Sequence, residues 1–545
     1  MTDATGHYFL KNLPEGNFIL EVSSVGYKTV TRNVTLKKGK TLEEDFEIEE
    51  DAIALDGVVV SANRSETTRR MAPTLVNVVD LKLFETTNSS TLSQGLNFQP
   101  GVRVETNCQN CGFQQVRING LDGPYTQILI DSRPVFSALS GVYGLEQIPA
   151  SMIERVEVMR GGGSALFGSS AIAGTINIIT KEPLRNSGQL SHTITSLGGS
   201  SSFDNNTSLN VSLVTDDHRA GLYIFGQNRY RSGYDYDGDG FTELPKLKNQ
   251  TVGFRSYLKT STYSKLTFEY HHMQEFRRGG DMLNRPPHEA HIAEQLQHSI
   301  DGGSLKFDYF SPDEKNRLSV FASAANTDRD SYYGPGNDPL KAYGKTTDLT
   351  AMGGAQYVHT FDKCFFMPSD LTAGLEYNRD RLKDNMWGYN RHTDQTVNIY
   401  SAFLQNEWKN DRWGILIGGR LDKHNMVDNV IFSPRANLRF NPTQNINLRL
   451  SYSSGFRAPQ AFDEDMHIEN VGGTVAMIER AKDLKEEKSQ SFSVSADMYH
   501  RFGAFQTNLL IEGFYTRLTD VFVLGKPYDR GDGILVKTRS NGPGA

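Results

Sequence analysis

The strongest constraint on the fold is an alternation of apolar and polar residues that recurs from about residue 188 to the end of the chain. One segment places Ile446, Leu448 and Leu450 on one face and Asn447 and Arg449 on the other. A period of two is the repeat of a β-strand with unlike faces. Further segments with the same alternation are 209–213, 266–271 and 492–498. The sequence therefore predicts a mainly β fold.

The alternating segments fit a transmembrane β-barrel. No apolar run approaches the roughly 18 residues that a membrane-spanning helix requires. Lipid-facing and lumen-facing residues alternate along barrel strands, so such strands are only moderately apolar on average, and Tyr and Phe near strand ends favour the same interpretation. Alternation does not distinguish lipid from a protein core. A soluble β-sandwich or propeller therefore stays open as the alternative.

Residues 115–180 form a compact unit with glycine-rich corners. Extended runs at 116–118 and 127–130 flank a turn-rich segment, and a third run at 153–158 alternates apolar and charged residues. Glycine at this density provides tight turns and close backbone approach. The pattern indicates a small α+β unit and not a catalytic cleft.

This unit resembles the plug domain of TonB-dependent outer-membrane receptors. The resemblance extends over more than 60 residues, in the order and spacing of the family. The segments that carry it are RING at 117–120, IDSRP at 130–134, IP at 148–149, IERVEV at 153–158, RG at 160–161, SALFG at 164–168 and AIAGTINI at 171–178. The resemblance implies a plug that fills an antiparallel transmembrane β-barrel.

The first fifty residues show the pattern of an all-β sandwich. Their alternating segments are 8–10, 18–22, 28–34 and 42–48. The run GHYFLKNLPEG at 6–16, followed by VGY at 25–27, resembles the carboxypeptidase-regulatory-like domain. Members of that family carry further strands before this point, so we expect a truncated domain with Met1 inside it. No export signal is visible. Such an extra domain is typical of receptors of the Bacteroidetes type.

Residues 51–75 are expected to form a linker. LDGVVVSA at 55–62 resembles the TonB box, the strand that pairs with the energising protein TonB. An extended valine-rich segment in a flexible linker offers unpaired backbone groups for β-strand addition. The alternative is an ordinary strand of the first domain. The resemblance assigns TonB binding to Leu55, Asp56, Val58, Val59 and Val60.

The resemblance implies a plug at 76–184 and a barrel at 185–545. SGFRAP at 454–459 and DLKEEKS at 483–489 resemble paired barrel motifs of the family, although AK at 481–482 replaces the usual Asn-Pro. That replacement weakens any inference about substrate from the second motif.

The barrel is expected to be incomplete, with C-terminal strands missing. Plugged transporters of this type have 22 strands, and roughly 9–11 residues per strand plus connections leave about two-thirds of a barrel here. Segments 190–195 and 534–539 are expected as open edges. Residues 277–299 and 459–485 are too long for tight turns and are expected as extracellular loops.

Cys108 and Cys111 form a C-x2-C pair in a polar loop, and Cys364 is the only other cysteine. A redox motif would open a helix beside a βαβ unit, and none is visible. A structural zinc site needs two more ligands, and no second pair exists. In an oxidising envelope we expect a local disulfide. A metal-facing role at the plug apex is the alternative.

Asp235, Asp237, Asp239 and Glu243 match the oxygen-ligand positions of a calcium loop, with glycine at the sixth position. The twelfth position is Lys246 rather than glutamate, and flanking helices are absent. We expect either a Ca²⁺ site or an acidic exposed loop.

Histidines are concentrated at 271, 272, 288, 291 and 298. HEAH at 288–291 lacks the H-E-x-x-H spacing of a helical zinc site. His467 lies between the two barrel motifs, where haem receptors of the family carry a candidate axial ligand. The resemblance thus makes His467 a candidate substrate contact. The alternative is an exposed loop histidine.

The resemblance implies TonB-dependent import of a scarce nutrient such as an iron-siderophore, haem or cobalamin. Expected partners are TonB with its inner-membrane complex, outer-membrane lipids, the metal-chelate or vitamin substrate and a surface lipoprotein that delivers it. A net charge of −7 without a basic stripe argues against nucleic acid. No catalytic constellation or phosphate-binding loop is present, so we expect no enzyme. A structural or adhesive outer-membrane β protein is the alternative.

Overall fold

The structure is a computed structural model that describes residues 8, 10, 13–22, 30–48, 58–134, 144–335, 342–471, 474–503 and 505–545. The N-terminal part contains one antiparallel hairpin, β1 (Gly16–Val22) and β2 (Val30–Leu36).

The strand expected at 42–48 is wrong, because this extended segment pairs with no strand among the described residues. Its alternation reflects side-chain contacts instead. Arg32 of β2 lies 4.8 Å from the centre of the Phe46 ring and donates to the Glu44 carboxylate at 2.6 Å.

The plug is an α+β unit built on a five-stranded sheet in the order β5-β10-β11-β8-β9. In this sheet β11 and β8 are parallel and the other neighbours are antiparallel. Two separate hairpins are β3 with β4 and β6 with β7. The elements are β3 (Val58–Val59), β4 (Thr67–Thr68), β5 (Val76–Asp80), α1 (Leu81–Thr86), α2 (Leu92–Leu96), β6 (Val102–Cys108), β7 (Phe113–Ile118), β8 (Thr126–Ile130), β9 (Arg133–Pro134), α3 (Gly144–Gln147), β10 (Ile153–Arg160), α4 (Ser164–Phe167) and β11 (Gly174–Thr180).

The plug strands β10 and β11 bury most of their side chains. Val156 and Val158 of β10 pack with Ile176 and Ile178 of β11 in the main core of the plug. Gly174 begins β11 with φ of +155°, and a Cβ there would lie 2.3 Å from the carbonyl oxygen of Met159. Glycine at position 174 is therefore a packing requirement at the start of the strand.

The remaining strands form the barrel wall and a small sheet over one end. Fifteen strands, β12 to β24 followed by β27 and β28, join in one antiparallel sheet. The elements are β12 (Ser187–Ser196), β13 (Phe203–Val214), β14 (Ala220–Arg231), β15 (Lys246–Ser261), β16 (Ser264–Gly280), β17 (Ile292–Phe310), β18 (Asn316–Pro335), β19 (Tyr343–Cys364), β20 (Met367–Met386), β21 (Arg391–Lys409), β22 (Trp413–His424), β23 (Ile431–Thr443), β24 (Ile446–Arg457), α5 (Asp463–Met466), β25 (Glu469–Val471), β26 (Thr474–Arg480), β27 (Glu487–Phe502), β28 (Phe505–Thr519), β29 (Phe522–Leu524), β30 (Tyr528–Asp529) and β31 (Leu535–Asn541).

The wall has the opposite polarity to a soluble protein. On β24, Leu450 is 53% exposed on the outer face, whereas the neighbouring Arg449 is 3% exposed on the inner face. On β27, Val494 is exposed and Ser495 is buried in the same way. An apolar outer surface around polar, buried inward residues is the arrangement of a transmembrane barrel. The soluble sandwich or propeller is therefore wrong.

The two ends of the wall differ in the length of their connections. Turns such as 262–263, 365–366 and 444–445 are short, whereas the connections 232–245 and 458–486 at the opposite end are long. Long connections of such barrels lie outside the cell and short turns in the periplasm. The tip of the β6–β7 hairpin lies at the long-loop end, because Cys111 contacts His467.

The loop expected at 277–299 is shorter than the sequence suggested. β16 continues to Gly280 and β17 begins at Ile292, so only 281–291 connects them. The polar residues of 277–299 led to the prediction of a loop. Arg277, Glu294 and His298 instead lie on strands and point into the protein, where they are buried. The loop expected at 459–485 is itself folded, since it contains α5, β25 and β26.

Only one of the two expected open edges is correct. Residues 190–195 lie in β12, which is an edge strand of the wall. The expectation for 534–539 is wrong, because β31 belongs to the small outer sheet and pairs with β26, β29 and β30. Its apolar positions, such as Val536, are buried there rather than facing lipid. The second edge of the wall is β28, and among the described residues it does not pair with β12.

No helix in the described part of the chain is long and apolar enough to cross a membrane.

Candidate functional site

The candidate TonB-binding segment is docked on the plug. Leu55 and Asp56 lie outside the described residues. Val58 and Val59 form β3, which pairs with Thr67–Thr68, and Val59 is fully buried.

The next two residues of this segment are held by a buried carboxylate. The backbone N–H groups of Val60 and Ser61 each donate to Glu157 Oε2 at 2.8 Å, as does the Ser61 hydroxyl. Arg155 donates to the other oxygen of Glu157 at 2.9 Å. The segment is therefore held against the plug by hydrogen bonds that a partner strand would have to replace.

The chain that follows this segment is fastened to the barrel wall. Asn63 donates to Glu407 at 2.8 Å and accepts from Gln405 through its backbone carbonyl at 3.1 Å. Arg435 donates to the carbonyl of Ala62 at 3.0 Å. Both Gln405 and Glu407 lie near the end of β21 that leads into a short turn. The linker thus meets the wall on the periplasmic side.

Four potential metal ligands converge at the opposite, extracellular side. Cys108, Cys111, Glu294 and His467 have ligand atoms that all lie within 4.8 Å of one another. The thiol of Cys108 donates to Glu294 Oε2 at 3.1 Å, and Cys111 Sγ lies 3.5 Å from His467 Nε2. His467 Nε2 lies 3.6 Å from Glu294 Oε2. No disulfide joins the two cysteines in the structure.

Hydrogen bonding within this cluster shifts two pKa values. The hydrogen bond with Cys111 lowers the pKa of the Cys108 thiol to about 7, although burial opposes the change. Burial alone would lower the pKa of His467, but its contacts with Cys108 and Glu294 raise it to about 10. The His467 side chain is 15% exposed, so it is not the exposed loop histidine of the alternative interpretation. Its Nε2 faces protein groups, so a role as a substrate or haem ligand stays a prediction that requires this nitrogen to be released.

The candidate calcium loop connects β14 and β15 at the extracellular end. Asp235, Asp237 and Glu243 bring carboxylate oxygens within 4.8 Å of one another. Asp239 does not join this group. Its carboxylate accepts from the N–H of Phe241 at 2.8 Å. Three of the four predicted ligands are thus close together, and Ca²⁺ binding stays a prediction.

The histidines at 271–298 do not form one site. His288 bonds to the Tyr343 hydroxyl at 2.8 Å, and His291 lies 2.6 Å from Asp281. Among the described residues, only the cysteine cluster and the calcium loop bring three or more potential metal ligands together.

Comparison with known proteins identifies the family. Residues 173–534 match the family described as TonB dependent receptor-like, beta-barrel. The chain belongs to the TonB-dependent receptor family. Residues 68–175 match the TonB-dependent receptor plug domain, and residues 1–60 match the CarboxypepD_reg-like domain. The receptor is accordingly a protein of the outer membrane.

Relatives of this receptor include transporters and siderophore receptors. It is 24% identical over 425 residues to the vitamin B12 transporter BtuB of Vibrio vulnificus strain CMCP6, covering 75% of this chain and 64% of that protein. The crystal structure of the siderophore receptor PirA from Acinetobacter baumannii superposes with a TM-score of 0.71 at 18% identity, over 88% of this chain and 77% of that one. A mutant of the ferric enterobactin receptor PfeA from Pseudomonas aeruginosa superposes with a TM-score of 0.71 at 18% identity, over 88% and 76%. At these identities the structural likeness shows the fold.

Sequence reasoning missed the acidic residues that organise both ends of the receptor. Glu294 lay within a predicted loop and Glu157 within a family motif, and neither carried a signal of its role. A buried glutamate that faces the interior from a strand is indistinguishable in sequence from one that faces water. Their roles become visible only through contacts between segments far apart in the chain.

Removing Ca²⁺ is expected to lower the melting temperature of the receptor by a few degrees, because a ligand that binds only the native state stabilises it. In EDTA-treated wild type, adding back Ca²⁺ alone should reverse this shift, and Asp237→Ala should abolish the response to Ca²⁺. Asp239→Ala is the matched control, since Asp239 lies outside the cluster, and should keep the shift. A wild-type receptor that melts at the same temperature in EDTA and in excess Ca²⁺ contradicts the calcium site.

Proposed function

We propose that this receptor imports a scarce nutrient, such as an iron-siderophore, haem or cobalamin, across the outer membrane. The observation that carries the proposal is a barrel wall whose interior is filled by a plug held through buried ion pairs. Arg255 of β15, for example, contacts Asp131 of the plug, and Arg160 of the plug lies 2.5 Å from Glu512 of β28. A path through such an interior requires work on the plug.

We propose that TonB supplies this work by binding residues 55–60. A partner strand adds to an exposed strand edge through backbone hydrogen bonds. Val58 and Val59 already have strand geometry, and among the described residues they pair with the two-residue strand Thr67–Thr68 alone. A longer TonB strand offers more hydrogen bonds than this short pairing. The N–H groups of Val60 and Ser61 are bonded to Glu157 of the plug, so a pull at 55–60 acts on plug contacts.

The substrate class is inferred from the relatives, which are named as a vitamin B12 transporter and as siderophore receptors. The receptor spans 64% of the length of the first of these. We propose a metal chelate or a vitamin as substrate, with delivery by a surface lipoprotein and with outer-membrane lipids around the apolar wall. We also propose that the receptor is not an enzyme. Domain boundaries at 1–50, 51–75, 76–184 and 185–545 belong to the same proposal.

Deletion of residues 55–60 is expected to abolish energy-dependent uptake and leave surface binding unchanged. Cells that carry the receptor would be grown on limiting ferric enterobactin, haemin or cyanocobalamin, and uptake of each labelled compound would be measured beside binding at low temperature. Val58→Pro should reproduce the loss, because proline removes a backbone donor and constrains the strand, whereas Val58→Ala should not.

Uptake that survives the deletion would contradict the TonB-binding assignment. A receptor that neither binds nor imports any of the three compounds, while cell-surface adhesion depends on it, would favour the structural or adhesive alternative.

A further inference from the structure

The four potential ligands at the plug tip come from three separate segments. Cys108 ends β6 and Cys111 lies in the turn before β7, so both belong to the plug. Glu294 lies near the start of β17 in the barrel wall. His467 follows α5 in the long connection between β24 and β27. The cluster therefore joins the plug, the wall and an extracellular loop at one point.

We propose that Cys108, Cys111, Glu294 and His467 bind one Zn²⁺ ion that attaches the plug tip to the barrel. Two thiolates, one imidazole and one carboxylate are all ligand types that zinc takes in proteins. Calcium and magnesium prefer oxygen ligands, so sulfur in the set excludes them. The C-x2-C spacing supplies half of a site, and the fold supplies the two ligands that the local sequence lacks.

The distances between ligand atoms fit a tetrahedral ion. Zinc–ligand bonds of about 2.0–2.3 Å place the corners of a tetrahedron about 3.3–3.8 Å apart. The separations are 3.1 Å for Cys108 to Glu294, 3.5 Å for Cys111 to His467 and 3.6 Å for His467 to Glu294. The other three separations lie within 4.8 Å, so side-chain rotation would bring all four atoms into contact with one ion. Zinc binding then releases the thiol protons and the proton that His467 carries on Nε2, since thiolates and a neutral imidazole are the ligands.

Burial favours a structural site over one with an open position. Cys111 is fully buried and the His467 side chain is 15% exposed. The His467 ring packs edge-on against Phe113 at 5.4 Å and Tyr333 at 5.6 Å between ring centres. Four protein ligands with water excluded are typical of structural zinc, and aromatic packing around a ligand fixes its orientation.

The turn that carries the cysteines is held against the wall. A Cβ on Gly279 of β16 would lie 1.8 Å from the carbonyl oxygen of Asn110. The backbone of the wall therefore packs directly against the backbone of the turn, with no room for a side chain between them. Arg277 donates to the carbonyl of Gly112 at 3.4 Å. Gly112 has φ of +69°, which is a turn conformation that favours glycine. Both cysteines are thus presented to Glu294 and His467 before any ion binds.

The consequence for transport rests on the proposed function, whereas the metal site does not. TonB would pull the plug from its periplasmic side while zinc retains the tip at the extracellular side. The plug would then open a path by partial unfolding near residues 58–74 and remain attached, rather than leave the barrel as one body. A disulfide between Cys108 and Cys111 would consume both thiols and exclude the ion.

The test is the metal content of the full chain purified in detergent from outer membranes, without chelators. Wild type should contain about one zinc per chain. Cys111→Ser should lower the zinc content at least tenfold. Cys364→Ser is the control and should keep the zinc, because Cys364 lies at the end of β19 that leads into the short turn 365–366, on the periplasmic side of the wall. Glu294→Gln should weaken zinc binding at least about 10-fold, because loss of a partner that only orients a ligand already costs about 10- to 100-fold.

Cobalt substitution separates binding from misfolding. Co²⁺-loaded wild type and Cys364→Ser should show the visible bands of tetrahedral cobalt and a thiolate charge-transfer band in the near ultraviolet. Gly279→Ala leaves all four ligands present but displaces the turn, and should lose these bands while the barrel keeps its heat-modifiable migration on a gel.

Three results would overturn the proposal: wild type without zinc and without the cobalt spectrum, equal zinc in wild type and Cys111→Ser, or a Cys108–Cys111 disulfide found by mass spectrometry in the purified receptor. None of these bears on whether deletion of residues 55–60 abolishes uptake, so failure of the metal site and failure of the proposed function are distinguishable.

Discussion

Replacing Glu146 by alanine is expected to loosen the plug from the barrel wall and make the outer membrane permeable to large antibiotics. Glu146 lies in α3 of the plug and is almost fully buried. It accepts from Arg231 at 2.7 Å and from Arg277 at 2.8 Å, and Arg229 lies 3.1 Å away. All three arginines belong to the wall. Burial would raise the pKa of Glu146, but the three guanidinium groups hold it well below its usual range, so the carboxylate is charged at neutral pH.

The size of the effect follows from what the substitution leaves behind. In the variant, Arg229 would still contact the Asp204 carboxylate at 2.6 Å, and Arg277 would still contact the Glu275 carboxylate at 2.7 Å. Arg231 would keep its hydrogen bond to the backbone carbonyl of Pro245 at 3.1 Å but would lose its contact with a carboxylate. Removing one partner of a buried ion pair costs about 3–5 kcal/mol, because the remaining charge stays desolvated. The plug should therefore unfold at a lower temperature than in wild type.

Calorimetry in detergent and antibiotic susceptibility of cells would measure the two effects. Glu85→Ala is the matched control, because Glu85 is an exposed carboxylate on another plug helix, α1. It should change neither quantity. A Glu146→Ala receptor with wild-type plug stability and wild-type resistance would show that the three arginines do not anchor the plug.

The parts of the fold that could be predicted are those that depend on residues close together in the sequence. The plug motifs at 153–158 and 171–178 coincide with β10 and β11, because neighbouring residues decide the burial of these strands. The calcium loop is a single segment, so its close carboxylates also follow from spacing. Alternation at 446–450 identified a wall strand, and the exposed Leu450 confirmed which face is apolar.

The parts that could not be predicted depend on pairing between distant segments. The thiol of Cys108 meets a carboxylate 186 residues away, and Cys111 meets an imidazole 356 residues away. The absence of a second cysteine pair suggested too few zinc ligands, whereas the fold brings Glu294 and His467 to the first pair. Similarly, β31 resembles a wall strand in sequence, and only its pairing with β26 shows that it belongs to the outer sheet.

Glu157→Ala is expected to release the candidate TonB-binding segment from the plug and expose it without any partner. Glu157 is fully buried and accepts from the N–H groups of Val60 and Ser61 and from the Ser61 hydroxyl. Hydrogen bonds to a charged group contribute about 1.5–3 kcal/mol each, and a buried N–H left unpaired costs a similar amount. Loss of one such bond, about 2–3 kcal/mol, would already make local opening roughly 30- to 150-fold more frequent.

Amide hydrogen exchange at residues 58–61 would measure this opening in detergent. The isolated periplasmic domain of TonB should bind Glu157→Ala more tightly by a similar factor, because binding no longer has to disrupt the docked state. Glu154→Ala is the matched control, since Glu154 lies on the same strand but is exposed, and it should change neither exchange nor binding. Glu157→Gln keeps one acceptor oxygen but loses the charge, so it should fall between wild type and Glu157→Ala.

Exchange at residues 58–61 that is already unprotected in wild type, or unaffected in Glu157→Ala, would show that the carboxylate does not hold the segment. TonB would then meet a free strand, and the force it applies would first load the contacts of Ala62 and Asn63 with Arg435, Gln405 and Glu407 of the wall.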